Sequence, residues 1–174
     1  DMGLGMDYTP IQTLCDELDV PYHIIKTEIA PIIFDYRKEK NPCSMCSKMR
    51  RGALNQGILD LGFHKLALGH HYDDAVETFV MNLFNGGTLD CFMPVTYLSR
   101  KDIYMIRPMI FARESDCARV VRKENLPTVK SRCPADGTTE RQEVKEMLSA
   151  LEKKYGDVRS KILGAMQRKE INGY

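Results

Sequence analysis

Apolar positions along this chain fall into alternating helical and extended patterns. In TPIQTLCDEL, residues 9 to 18, Ile11, Leu14, Cys15 and Leu18 recur at helical spacing behind a Thr in N-cap position and a Pro in the first turn, which predicts a helix. VPYHIIKT reads as a short strand, and EIAPIIFDYRKEKN after it as irregular chain. Met45, Met49, Leu54, Ile58 and Leu61 then return every three to five residues from about Ser44 to Leu61, a helix closed by Gly62. HKLALG is too short for a helix and suits a buried parallel strand. Asp74 and Glu77 stand at capping-box spacing before VMNLF, a helix that stops at Asn85, Gly86 and Gly87. VTYLS and IYMIRP predict two strands around a polar turn at Arg100 to Asp102, with a helix following from roughly Glu114 to Glu124. Beyond a proline-bounded loop holding Cys133, residues 138 to 168 read as two helices split near Gly156.

Strands alternating with helices indicate an α/β architecture with a largely parallel sheet, in which ligands sit at the carboxyl ends of the strands. A chain of 174 residues, 43% apolar, has room for one core with a small appendage. With 25 Lys and Arg against 24 Asp and Glu, the net charge of +1 identifies no partner until the charges are located. No apolar run is long enough to span a membrane and no secretory leader opens the chain, so the six cysteines read as cytoplasmic thiols rather than disulfides. DMGLGMDYTP opens without an initiator methionine and reads like the middle of a domain, so upstream residues are expected.

Cys43 and Cys46, in NPCSMCSKMRRG, lie about a turn apart at a helix start, where two sulfurs can share a metal or form a redox disulfide. The helix N-terminus with Lys48, Arg50 and Arg51 favours thiolate there. A zinc ribbon would need a second such pair, and none exists. Among the lone cysteines, Cys15 and Cys117 fall on helix faces and Cys91 follows a Gly-Gly turn, which assigns them to packing, whereas Cys133 lies in a polar loop, KSRCPADG. Three thiolates could hold a four-iron cluster and leave one iron without a protein ligand.

In LALGHHYDDAVET, a short strand delivers His70, His71, Asp73 and Asp74 to the start of the next helix, where α/β proteins bind nucleotides and their metal ions. Carboxylates there suit Mg²⁺ against phosphates; the alternative reading has Asp74 as a helix cap and both histidines on the surface. The basic residues of the second half, Arg107, Arg113, Arg141 and Arg159 among them, mostly read as a solvated face, while those near Cys133 and the cysteine helix are the better candidates for RNA backbone.

CSMCSKMRRG, LALGHHYDDAVETFVMNLFNGG, IRPM with ARE, and a lone cysteine before RQEVKEML together resemble the tRNA 2-thiocytidine synthetase family, TtcA, of the PP-loop ATPase superfamily, in the same order over nearly the whole chain. The GHHYDDAVETF element alone is also similar to tRNA lysidine synthetases, which lack the cysteine pair. The resemblance implies a Rossmann-like, adenine nucleotide alpha-hydrolase-like parallel sheet flanked by helices, with a helical C-terminal part. It implies a nucleotide domain over residues 1–128 and a part over 129–174 that completes the cluster and tRNA site. The implied activity is ATP- and Mg²⁺-dependent adenylation of a pyrimidine C2 oxygen, in a cytidine of the tRNA anticodon loop, and its replacement by sulfur through a [4Fe-4S] cluster. The implied cluster ligands are Cys43, Cys46 and Cys133, the catalytic residues Asp74 and Arg50, and the nucleotide-side residues His70, Asp73 and Asp74. The implied partners are tRNA and a cysteine desulfurase, with no membrane and a homodimer left open. The family's phosphate-binding Ser-Gly-Gly-Lys-Asp-Ser is absent from this chain, which opens about where the loop after the second strand belongs. A persulfide-based thiolase of the same superfamily and a non-catalytic metal-bearing RNA-binding module are the alternatives.

Overall fold

The computed structural model describes all residues, 1–174, and its contacts divide the chain into two compact units. One comprises Asp1–Phe63 and Ala118–Asp136, the other His64–Cys117 and Gly137–Tyr174, so each includes residues from both sides of residue 128.

In the first unit the expected helices form as α1, Thr9–Glu17, and α2, Pro42–Asp60. Pro42 takes the first turn of α2 and the Asn41 side chain accepts from the Ser44 amide at 3.4 Å, which puts Cys43 and Cys46 in the first two turns. VPYHIIKT is not a strand of a sheet, because no strand of this unit lies beside it to complete a ladder. Its backbone instead makes isolated bonds to the opening residues, with Ile25 accepting from the Asp1 nitrogen at 2.8 Å and the Thr27 amide donating to Asp1 at 3.0 Å. The stretch read as irregular contains a π-helical segment, Pro31–Tyr36, that buries Ile33 completely. Gly57 of α2 admits the Ile25 side chain: a Cβ there would come within 2.2 Å of Ile25 Cδ1.

The second unit is organised around α3, Tyr72–Gly86. Ala75, Val76 and Val80 bury one face of it against Val144 and Leu148 of α5, Glu140–Tyr155, and Leu163 and Met166 of α6, Val158–Arg168. Gly87 ends α3 in the left-handed conformation, φ 60°. The capping box lies three residues earlier than the expected Asp74–Glu77 pair: His71 Nδ1 accepts from the Asp74 amide while Asp74 Oδ2 accepts from the His71 amide at 2.9 Å. Glu77 is buried instead.

Three strands, β1 (Lys65–Ala67), β2 (Val95–Leu98) and β3 (Ile103–Ile106), form a sheet in the order β1-β3-β2. β1 runs parallel to β3, with Leu66 opposite Met105, but β2 pairs antiparallel, with Tyr97 opposite Tyr104. The sheet is therefore mixed rather than largely parallel. Residues 99–102 turn the chain straight back, too short a link for the crossover that a parallel pair needs. Helix α4, Glu114–Lys123, follows β3, and a 3-10 turn at Ile171–Gly173 closes the chain. No helix is long and apolar enough to cross a membrane.

Candidate functional site

The chemistry-bearing residues form two groups, one in each unit. In the first, all three expected cluster cysteines are free thiols; Cys43 is exposed, and Cys46 and Cys133 are half-buried. Cys46 lies within electrostatic reach of both others. Burial pushes the Cys46 thiol up, and the Cys133 and Cys43 sulfurs push the same way; the Arg50 guanidinium beside it opposes them without reversing the shift. The expectation that neighbouring cations would favour thiolate is thus overridden at Cys46 by desolvation. Its Sγ also contacts Met2 Sδ at 3.7 Å. Cys133 is held in its loop by its backbone N–H, which donates to Ser131 Oγ at 3.1 Å, and Arg132 donates to the Gly5 carbonyl at 2.7 Å. No group of three His, Cys, Asp or Glu side chains is drawn together to metal-binding geometry.

Arg50 also borders a cavity of about 390 Å³ with Met2, Tyr8, Tyr22, Ile25 and Ser131. Of the remaining cysteines, Cys91 is buried and donates to the Ala75 carbonyl at 3.4 Å, a packing role as expected.

The second group stands at the carboxyl end of β1. Asp73 Oδ2 accepts from the Glu114 amide at 2.7 Å, and its Oδ1 faces Arg159 Nε at 3.3 Å, at ion-pair distance without a hydrogen bond. Asp74 caps α3 and faces Arg141 at 3.5 Å. Both the capping reading and a cluster of carboxylates at the strand end are therefore present together. His70 is half-buried with Nδ1 unpartnered, and its pKa is depressed, first by burial and then by Arg107. His71 is part of the capping box rather than a surface residue.

Sequence reasoning missed the arginines that frame these carboxylates. Arg141 donates to Glu77 at 3.2 Å and to Thr78 Oγ1 at 2.9 Å, and Arg159 is buried against Glu152. Burial raises the Glu77 carboxyl above its ordinary value while Arg141 pulls it back. Arg107, Arg141 and Arg159 do not belong to the solvated face expected of the basic residues. Arg107 carried a signal, since it ends an apolar strand pattern; Arg141 and Arg159 sit among charged neighbours at ordinary helical spacing and carried none.

A family profile described as a PP-loop domain matches residues 6–151. The tRNA-cytidine(32) 2-sulfurtransferase of Methylococcus capsulatus is 36% identical over 155 residues, covering 88% of this chain and 53% of its own length. The protein of the same name from Cellvibrio japonicus is 37% identical over 141 residues, covering 80% of this chain and 47% of its own. The chain thus spans about half the length of the curated relatives it matches. Among solved structures, the U34-tRNA thiolase NcsA from Methanococcus maripaludis with its [4Fe-4S] cluster aligns with a TM-score of 0.74 at 24% identity, over 94% of this chain and 57% of that one, a likeness of fold. The chain belongs to the PP-loop domain family and has tRNA-cytidine(32) 2-sulfurtransferases among its homologues.

Proposed function

We propose that this chain is part of a tRNA thiolation enzyme that adenylates the C2 oxygen of a cytidine and replaces it with sulfur. The observation that supports the reading is that Cys43, Cys46 and Cys133 share one unit and that Cys43 and Cys133, the latter nearly ninety residues along the sequence, both act electrostatically on Cys46, with Arg50 beside it. The names of the relatives support a tRNA cytidine as substrate.

The oxygen at C2 is a poor leaving group. Attack by that oxygen on the α-phosphorus of ATP releases pyrophosphate and forms an O–P bond; a sulfur nucleophile then adds at C2, and AMP departs with the oxygen. Asp73, Asp74 and His70 are the proposed residues on the nucleotide side, and Asp74 the catalytic carboxylate. Mg²⁺ fits their donor type, since a carboxylate oxygen keeps lone pairs beside the bonds it makes, and would offset charge on the phosphates. Arg141 and Arg159 hold the two carboxylates in place.

A [4Fe-4S] cluster fits the first unit in donor chemistry: Cys43, Cys46 and Cys133 are all free thiols, and the other two act electrostatically on Cys46. Cys43, Cys46 and Cys133 would hold it, and when bound it would supply an iron without a protein ligand at which sulfur can be carried. Arg50 would balance the negative charge of the thiolates. A cysteine desulfurase is the proposed source of sulfur. Exposed Lys48, Arg51 and Lys130 are the proposed contacts to RNA backbone.

The test is 2-thiocytidine in tRNA, measured by mass spectrometry after incubation of the full-length protein with ATP, Mg²⁺ and a sulfur source. Product that requires ATP and all three cysteines supports the reading; product formed equally without ATP would sink it.

A further inference from the structure

Side chains alternate along β2 and β3, so Ile103 and Met105 are buried on one face of the sheet while Val95, Tyr97 and Tyr104 stand on the other, 55%, 49% and 45% exposed. A single exposed apolar side chain needs no explanation, but these three are neighbours: Tyr97 lies directly opposite Tyr104, and Val95 is two residues away on the same face. The two tyrosine rings stack on each other, with centroids 4.6 Å apart and planes 28° from parallel. Tyr97 Oη donates to Asp102 Oδ1 at 2.9 Å, which fixes that ring before any ligand arrives. β2 is the edge of the sheet, so no strand stands beyond Tyr97 and the stack is open on that side.

Cations gather around the same pair. Lys65 of β1 is opposite Tyr104, and Arg100 and Lys101 occupy the turn that joins β2 to β3. All three are exposed, and none makes an ion pair. The one carboxylate of that turn, Asp102, is already engaged by Tyr97 and lies 3.4 Å from His64 Nδ1. The face therefore combines a fixed aromatic stack with unbalanced positive charge.

We infer that this face docks a single-stranded segment of RNA, with a base extending the tyrosine stack at Tyr97 and phosphates held by Arg100, Lys101 and Lys65. Every base offers a π face to such a stack, and clustered cations match the backbone. Paired RNA keeps its bases inside the helix, so a loop or an open end is the form that fits. A second copy of this chain is the worse occupant, because a two-fold contact would set the same three cations against themselves. Tyr104 is two residues short of the end of β3, about 7 Å along the strand, so one RNA loop can touch the stack and the strand ends where Asp73 and Asp74 stand. The inference rests on the reading of RNA as substrate; it does not depend on iron or on the fate of the C2 oxygen.

The experiment measures binding of the full-length protein to a fluorescent RNA hairpin with a cytidine in its loop, and to fully paired duplex RNA, by anisotropy at several salt concentrations. The variants are Tyr97→Ala, Tyr97→Phe, Tyr104→Ala, Lys101→Ala and, as a control, Phe84→Ala, which removes an aromatic side chain 63% exposed on α3. Hairpin affinity should fall about tenfold in Tyr97→Ala and Tyr104→Ala, and hold in Tyr97→Phe and Phe84→Ala. Lys101→Ala should lower the slope of log affinity against log salt by about one. Duplex RNA should bind the wild type and the tyrosine variants alike. Should Tyr104→Ala not fold, as judged by circular dichroism, Tyr97→Ala and Lys101→Ala carry the test. Unchanged hairpin affinity in these two overturns the proposal, as does an equal loss in Tyr97→Phe, which keeps the ring and loses only the bond to Asp102. A Tyr97→Ala protein that changes its mass in light scattering but not its hairpin affinity overturns it in favour of self-association. The chemistry is judged separately: a hairpin bound with this dependence on Tyr97 but gaining no sulfur upholds the surface and removes thiolation, whereas 2-thiocytidine formed by Tyr97→Ala with an unchanged KM for RNA overturns the surface alone.

Discussion

Two carboxylates of the second unit answer acid in opposite ways. Asp157 caps α6 by accepting from the Ser160 amide at 3.0 Å, and that bond, with Arg113 beside it, holds its carboxyl at about 2, below the ordinary 3.8. A depressed folded-state pKa means that the contribution is present above the unfolded value and lost as the pH falls through about 2. Asp157→Ala should therefore cost about 1 kcal/mol at neutral pH, the usual worth of a cap, and the gap to wild type in urea unfolding should close in strong acid. Glu77 is raised by burial, so its ionised form costs stability at neutral pH and the cost is relieved as the pH falls through its folded-state value. Arg141, half-exposed itself, offsets part of that cost. Arg141→Met should destabilise by about 2 kcal/mol at neutral pH, below the range for fully buried pairs because water screens Arg141, and by less in mild acid where Glu77 takes a proton. Denaturant titrations of both proteins across that pH range check the sign. None of this was legible in the chain: Asp74 and Glu77 share a spacing, and only the packing of α5 against α3 makes one a cap and buries the other.

The helices were the most legible elements, because periodicity and end signals agree. α3 shows it best: its apolar face repeats at helical spacing, acidic residues open it and two glycines close it. Gly87 has open space around its missing Cβ and φ 60°, so Gly87→Ala should cost about 1 kcal/mol purely through the backbone, with no change in the folded structure; thermal unfolding with an unchanged near-UV spectrum is the expected result. The extended segments were harder. VPYHIIKT and IYMIRP look alike in composition, yet only the second becomes a strand, because a strand needs a neighbour and β3 has one on each side. The direction of β2 was recoverable from the short turn after it, which outranks the alternation of strands and helices as a guide.

For the whole molecule the decisive expectation is the thiol set. Anaerobic reconstitution of the full-length protein should load about four irons per chain. Cys43→Ser, Cys46→Ser and Cys133→Ser should each abolish it, while Cys15→Ser and Cys117→Ser should leave it intact. Uptake that survives Cys133→Ser, or a persulfide on a single cysteine with no iron bound, would move the proposal to covalent sulfur transfer. By itself the sequence determined the helices, the order of motifs and the family resemblance, since these depend on spacing along one chain. It also singled out Cys133 from its polar loop. Only the tertiary structure decided that Cys133 comes within reach of Cys46, that burial outweighs Arg50 at that thiol, and that Arg107 is left inside without a counter-ion. Desolvation and the pairing of charges depend on which distant segments meet, and no local pattern encodes that.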